Sequence, residues 1–401
     1  MPLPDWIHAA THGAALATAA LAGGGLVQAA AGWRAVSRFR ARPVPAAASL
    51  PPITVLKPLH GDEPLLEQAL ATFCAQDYPA FQIVFGLQDP ADPALHVLRR
   101  LCARFPALDM AVVVDPTPHG ANRKIANLLN MFPSARHDTL VIADSDIHAA
   151  PDYLRHLAAA LDDPRCGLVT TLYAGLPATG RLPARLGAAY INHGFLPGAL
   201  MARALGRQDC LGATMALSRA TLESVGGLDA LSAHLADDAV LGHLVAARGL
   251  EVRLAATIPA TTVPEARMAR LFHHELRWAR TIRALAPVGF LLSAVQYPLA
   301  WALLAVALSG ARPWSLAVLA GAWAGRAAIG RSLDRLLQRA GALPGGAGSP
   351  MWLVPIRDVL SVVVMLASYA DNRVAWRGQT LRAKPKAILS PVGASFAPEE
   401  G

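Results

Sequence analysis

Residues Thr139 to His148 read Thr-Leu-Val-Ile-Ala-Asp-Ser-Asp-Ile-His. Four apolar residues, Leu140 to Ala143, run straight into Asp144, Ser145 and Asp146, the pattern of a buried strand of a parallel sheet that ends where two carboxylates emerge. Open α/β sheets bind ligands at that edge. Two alternating carboxylates there are a poor structural device, because burying them unpaired costs several kcal/mol. A divalent cation resolves the conflict: Mg²⁺ or Mn²⁺ takes hard oxygen ligands, one or two carboxylates together with phosphate oxygens of a substrate. The stretch then reads as a holder for a metal-bound diphosphate. A solvated Asp-Ser-Asp turn would leave the same letters, so the rest of the chain has to decide.

Upstream, apolar runs at Ile53–Leu56, Phe81–Leu87 and Met110–Val114 alternate with helical spacing at Leu65–Cys74, Leu95–Phe105 and Asn122–Met131. This strict alternation predicts an α/β fold with a doubly wound, mostly parallel sheet and right-handed crossovers. The first strand leads into Lys57-Pro58-Leu59-His60-Gly61, and the second ends at Gln88-Asp89-Pro90-Ala91-Asp92. No Gly-x-Gly-x-x-Gly follows any strand, so a dinucleotide fingerprint is missing. Downstream, strands are expected at Leu168–Tyr173, Leu211–Ser218 and Val252–Ala256, with a helical cover over Pro183–Leu205. Asp237-Asp238 stands at the N-terminus of a helix over Ala239–Arg248; the helix dipole accounts for one acidic residue there but not for two. Met268–Ala284 is a basic helix on which His274, Arg277 and Trp278, at i, i+3 and i+4, address a common point, and such a helix also suits lipid headgroups.

The 401 residues are 54% hydrophobic, with a mean hydropathy of +0.35, too apolar for an ordinary soluble chain. Ile7–Trp33 reads as a membrane helix; a cleaved signal peptide is the rival, but Asp5 stands where a basic region belongs. Arg34, Arg38, Arg40 and Arg42 then hold the following domain in the cytoplasm, and Pro43–Pro52 is a linker. Pro287–Ser309 is the clearest spanning segment. Trp314–Ile329 is shorter and interrupted by Arg326, Arg331, Arg335 and Arg339 form a basic loop, and Met351–Ala370, carrying Arg357 and Asp358, reads as re-entrant or interfacial. The expected organisation is an N-terminal transmembrane helix (1–34), a basic, Pro-rich linker (35–52), a catalytic domain (53–285), C-terminal membrane-embedded helices (286–390) and a disordered tail (391–401). The net charge of +8 is almost wholly arginine beside apolar stretches, which favours an anionic membrane surface over nucleic acid. Cys74, Cys102, Cys166 and Cys210 lie far apart, so neither a zinc site nor a disulfide framework is indicated. The Ala- and Arg-rich composition points to a bacterium, and with the apolar segments and the arginines after the first of them the expectation is a multi-pass inner-membrane protein with a cytoplasmic catalytic domain.

The ordered series Lys57-Pro58-Leu59 with Gly61, Gln76-Asp77-Tyr78-Pro79, Gln88-Asp89 with Asp92-Pro93-Ala94, Lys124 with Asn127, Asp144-Ser145-Asp146, Gly226-Gly227, Asp237-Asp238 and Arg277-Trp278 resembles the ceramide glucosyltransferase family and its bacterial branch of hopanoid-biosynthesis glycosyltransferases. The likeness covers Ile53 to Arg283 and extends weakly to Pro355-Ile356-Arg357-Asp358 and Trp376-Arg377-Gly378. It implies a GT-A fold and an inverting transfer of a hexose or N-acetylhexosamine from a UDP-sugar to a lipid hydroxyl, on a ceramide-type sphingolipid or a bacteriohopanetetrol-type hopanoid. Asp89 then holds the nucleoside with Lys57 and Pro58 on the same edge, Lys124 joins the nucleotide-sugar site, and Asp144 and Asp146 hold the metal and diphosphate. Asp238 acts as general base with Asp237 beside it, and Arg277 and Trp278 serve the diphosphate and acceptor. His274 stands where the family has Gln or Arg. The alternative is a membrane-anchored phosphatase of the haloacid-dehalogenase type, whose nucleophile also follows an apolar strand as Asp-x-Asp. That chemistry wants a later lysine, and none occurs from Ile125 to Ala383.

Overall fold

The computed structural model describes residues 5–43, 47–234, 236–346, 348–371, 373–376, 379–383 and 389–391. A long helix, α1 (Asp5–Arg40), comes first. The alternating region follows as β1 (Ile53–Pro58), α2 (Leu66–Cys74), β2 (Phe81–Leu87), α3 (Ala94–Arg104), β3 (Asp109–Val114), α4 (Arg123–Met131) and β4 (Thr139–Ala143). Next come β5 (Ile147–His148), α5 (Tyr153–Leu161), β6 (Cys166–Thr170), β7 (Ala174–Pro177), α6 (Leu182–Tyr190), α7 (Leu196–Ala204), β8 (Thr214–Ser218), α8 (Arg219–Ser224), α9 (Asp237–Ala247), β9 (Glu251–Leu254) and β10 (Ala260–Val263). The seven-stranded sheet has the order β3-β2-β1-β4-β8-β6-β9. Only β8 runs antiparallel to its neighbours β4 and β6; the β1–β2, β1–β4, β2–β3 and β6–β9 pairs are parallel.

Helices cover both faces, which is why β1, β2 and β4 are apolar along nearly their whole length. Val55, Ile83, Phe85 and Val141 pack with α2, α3 and α5 on one side. Leu56, Val84, Leu140 and Ile142 pack with α4, α8 and α9 on the other. β3, at the edge, leaves Val112 and Val114 exposed. The doubly wound, mostly parallel sheet read from the sequence is the one that forms. A second sheet, β5-β10-β7, lies beyond the end of β4, where the Thr262 amide donates to the Asp146 carbonyl. Its strands have four residues or fewer, too short for periodicity to reveal.

The helical half departs from expectation in three places. Pro287–Ser309 is not one straight span: α11 (Pro287–Leu292) and a short 3₁₀ turn meet α12 (Pro298–Ser309) at a 68° bend. Pro298 offers no amide, and Tyr297 before it sits at φ −109°, ψ 68°, outside the helical region. Arg331 and Arg335 are not in a loop but within α13 (Pro313–Arg339), which Arg339 ends. The segment expected to stay helical to residue 390 closes instead in a small antiparallel sheet, β11 (Arg373–Trp376), β12 (Gln379–Ala383) and β13 (Leu389–Pro391). Arg377, Gly378, Lys384, Lys386 and the tail after Pro391 lie outside the described residues.

Among the described residues one helix, α1, is long and apolar enough to cross a membrane, over Ala9–Arg40. It packs on α12 and α13 through small side chains, Ala22 against Ala302 and Ala322. A side chain at Gly25 would collide with the Val295 carbonyl. The arginines that interrupt the later apolar stretches turn inward onto partners. Arg326 faces Asp358 at 3.8 Å and donates to the His193 carbonyl at 3.1 Å, while His193 pairs with Asp334 at 2.7 Å. Arg357, on α14 (Leu353–Ser368), forms a bidentate pair with Glu275, at 2.6 and 2.7 Å, on α10 (Met268–Leu285). The pair is buried, so Arg357→Ala should destabilise the folded chain by roughly 3–5 kcal/mol by stranding the Glu275 charge. Replacing both partners by Met should cost clearly less. Unfolding in detergent checks this, and equal losses in the two variants would count against the pair as the joint between α10 and α14.

Candidate active site

A cavity of about 410 Å³ opens at the end of β4. Asp144, Ser145 and Asp146 enter it from that strand end, Asp237 and Asp238 from the first turn of α9, and His274, Arg277 and Trp278 from one face of α10. Lys124 enters from α4 and Pro58 from the end of β1. Residues more than 200 positions apart in the chain thus share one lining. The exceptions are Lys57 and Asp89, which are not among the described lining residues.

Both exceptions have a structural account. Asp89 is exposed in the loop after β2 and accepts the Ala91 amide at 2.8 Å. Asp92 is occupied structurally, accepting both the Gly61 and Ala94 amides. Lys57 is fully buried beneath the cavity floor: its ammonium donates to the Asp144 carbonyl at 2.5 Å and sits 3.6 Å over the Phe73 ring. Burial pulls its pKa down to about 7, against the attraction of Asp146 and Asp144. The residue expected to line the nucleotide edge therefore pins the backbone of the first carboxylate instead.

Lys124 is the central cation. Its ammonium is 2.7 Å from Asp144 Oδ1 and 3.7 Å from Asp237 Oδ2, joining the acidic motifs of β4 and α9. Burial works against its proton, but Asp144 and Asp237 outweigh that and hold it well above the ordinary lysine range. Asn127 does not join the cluster and donates instead to the Gly86 carbonyl at 2.9 Å.

The remaining acids are crowded. Burial, then Asp144, push Asp146 up to about 7, and Thr261 partly offsets this by donating to its Oδ2 at 2.6 Å. Asp238 rises to about 6, through burial first and then Asp237. Its Oδ1 accepts the Ala239 amide at 2.8 Å, and its other oxygen lies over Gly212: a Cβ there would come within 2.7 Å of Oδ2. Only a glycine lets that carboxylate lie where it does. Among the described residues no three His, Cys, Asp or Glu side chains converge into a complete metal site. Two adjacent carboxylates with hard oxygens suit Mg²⁺ or Mn²⁺ when phosphate oxygens complete the shell.

On the far wall His274 Nδ1 pairs with Glu265 at 2.5 Å, and its ring meets Trp278 edge-on at 4.3 Å. Trp278 stacks on Tyr190 at 6.1 Å, whose ring lies 5.4 Å from the Arg357 guanidinium. Ile191, Val263 and Leu271 give this side an apolar lip.

Sequence reading missed Gly212, Thr261, Glu265 and Asn122 as site residues. Asn122 leaves a signal, an Asn at the start of an amphipathic run, which marks a helix start but not a site residue. It caps α4 by accepting the Lys124 and Ile125 amides, and its Nδ2 donates to the His234 carbonyl and to Asp237 Oδ1. Asn122→Ala should cost ~1–2 kcal/mol of stability as a lost cap. Asp is an equally good cap, yet Asn122→Asp should destabilise at least as much by setting a further carboxylate against Asp237. Thermal unfolding of the two variants decides; an Asp variant as stable as the native chain would remove Asn122 from the electrostatic account.

The family model described as Glycosyl transferase family 21 matches residues 15–389. Ceramide glucosyltransferase 1 of Caenorhabditis elegans is 22% identical over 240 residues, 60% of this chain and 51% of that protein. Ceramide glucosyltransferase of Gibberella zeae is 31% identical over 144 residues, 32% of this chain and 27% of that one. The matches span about half or less of the length of these curated relatives. Among solved structures, the mannosyltransferase PcManGT of Pyrobaculum calidifontis, in complex with GDP-Man and Mn²⁺, is 21% identical with a TM-score of 0.49, over 90% of this chain and 99% of that one.

Proposed function

The chain belongs to Glycosyl transferase family 21, and on that premise we propose that it is a membrane-bound glycosyltransferase moving a hexose or N-acetylhexosamine from a UDP-sugar to a lipid hydroxyl with inversion. The observation that carries this reading is the single cavity in which Asp144, Asp146, Asp237, Asp238, Arg277 and Trp278 meet. Family membership also sets aside the phosphatase alternative. The curated relatives named as ceramide glucosyltransferases support a lipid acceptor of the ceramide or hopanoid-polyol type. The apolar helix α1 and the bent pair that follows α10 support a membrane setting, which we place at a bacterial inner membrane with the cavity on the cytoplasmic side.

In this mechanism Asp144 and Asp146 would hold the divalent ion, which when bound would supply positive charge to the diphosphate. Pro58 and Lys124 border the donor's side of the cavity. Asp238 takes the proton of the acceptor hydroxyl as that oxygen bonds to the anomeric carbon, and the bond from this carbon to the diphosphate breaks with its electron pair leaving on UDP. Arg277 neutralises charge gathering on the leaving group in a partly dry site. Trp278 and the lip of Ile191, Val263 and Leu271 face the greasy body of the acceptor. Asp89, on the same sheet edge but outside the cavity, is left for the nucleoside.

Membranes holding the protein, given labelled UDP-glucose or UDP-N-acetylglucosamine with ceramide or bacteriohopanetetrol, should form a glycolipid identifiable by mass, and chelation should stop it. Absence of product with every pairing would sink the reading. Asp238→Asn should lower turnover by ~10²–10⁴-fold, the usual range for a general base, while UDP binding persists. The base must be ionised, so native turnover should fall as pH drops below about 6, and a pH profile without that acid limb would remove Asp238 from the role. Gly212→Ala should cut turnover by roughly ten- to a hundredfold by misplacing the carboxylate, with donor affinity retained; native turnover in that variant would reject the cradle.

A further inference from the structure

Lys124 is anchored at its backbone and shared unequally at its ammonium. Its backbone amide is held by Asn122 Oδ1 at 3.0 Å in the first turn of α4, which fixes where the side chain starts. Its ammonium lies between two carboxylates that it serves unequally, 2.7 Å from Asp144 Oδ1 and 3.7 Å from Asp237 Oδ2. That second oxygen is buried and has no hydrogen-bond partner among the described residues, while Asp237 Oδ1 is served by Asn122 at 3.4 Å. A shift of about 1 Å would bring the ammonium to the distance of an ordinary charge-assisted bond with Asp237. Lys57 has no such freedom, held between the Asp144 carbonyl and the Phe73 ring.

We propose that Lys124 competes with the divalent cation for Asp144 and moves onto Asp237 when metal and donor diphosphate bind together, so that the ion binds poorly alone and well with the nucleotide. This rests on the transferase reading. Lys124 stands 2.7 Å from Asp144 Oδ1, so a divalent ion bonding that carboxylate at about 2.0–2.1 Å meets the ammonium's like charge close by. Displacing it costs an ion pair, which the extra negative charge of a diphosphate offsets. Asp237 receives the displaced charge, which gives a function to the second acid of the Asp237-Asp238 pair. Thermodynamic reciprocity requires the nucleotide to bind more tightly with the ion by the same factor.

The test is Mn²⁺ binding by the detergent-solubilised full chain, followed by the electron paramagnetic resonance of the free ion, with and without UDP. In the native protein UDP should tighten Mn²⁺ binding strongly. In Lys124→Met, Mn²⁺ alone should bind at least about fivefold more tightly than in the native chain, because the competing charge is gone, and the enhancement by UDP should shrink. Lys124→Arg keeps the charge and can grip both carboxylates with its fork, so it should fold as the native chain does and bind Mn²⁺ alone no better. Equal or weaker affinity in Lys124→Met, or tighter affinity in Lys124→Arg, overturns the competition while leaving the transferase reading in place. If Lys124→Met does not fold, the Arg variant still decides. Failure of the native protein to bind Mn²⁺ even with UDP overturns both this inference and the metal role of Asp144 and Asp146.

Discussion

The architecture turns on how one pocket tolerates four aspartates and three glutamates. Asp144, Asp146, Asp237, Asp238, Glu63, Glu265 and Glu275 all line it, and burial, with like charges second, raises the pKa values of Asp146 and Asp238. Two ammoniums hold the cluster together from different directions. Lys57, below, fixes the backbone at Asp144, and Lys124, from the side, ties that strand end to α9. The sheet order makes this possible: β1 and β4 are neighbours, so a lysine late in β1 lies beside the end of β4. Neither lysine alone balances the site, and the excess negative charge makes the pocket attractive to a cation arriving with a polyanionic ligand.

A second set of charges, away from the chemistry, explains how the helical half is joined to the sheet half. Arg326, Arg357 and Asp358 make the apolar segments look unsuited to lipid when read singly. In the structure each is turned to a partner from another element, and Glu275 and His193 belong to the sheet half. The two halves therefore share buried ion pairs and do not behave as a soluble domain with a separate anchor. The break before Pro298 serves the same packing, since it lets α1 approach closely at Gly25.

What the sequence disclosed follows from which interactions leave a periodic trace. β1, β2 and β4 were legible because burial on both faces demands unbroken apolar runs, and Asp144, Asp146 and Asp238 because acids at the ends of such runs are conspicuous. β5, β7 and β10 were not legible, since four residues or fewer carry no usable period. Gly212, Thr261 and Glu265 owe their importance to what comes near them from distant parts of the chain, and no local pattern encodes that. Lys57 illustrates the converse: the motif was recognised, but nothing in the letters Leu-Lys-Pro distinguishes a lysine pointing into the cavity from one lying beneath it. The same limit applied to Arg331 and Arg335, where charge alone suggested a loop and the helix continued because arginine is a good helix former on an outward face.

α10 joins the sheet half to the helical half at the cavity. It presents His274, Arg277 and Trp278 to the cavity, and beside them Glu275, which also borders the cavity, locks onto α14. Arg357 pairs with Glu275 and also lies over Tyr190, the ring on which Trp278 stacks. Because Glu275 stands between His274 and the Arg277-Trp278 pair, its bond to Arg357 fixes the rotation of the helix that presents all of them. The apolar wall of the cavity is thus set from the helical side, through α14, while its acidic wall is set by the sheet, through β1, β4 and the two lysines. In the transfer proposed above, a cation-bound diphosphate would meet the acidic wall and the lipid acceptor the apolar one.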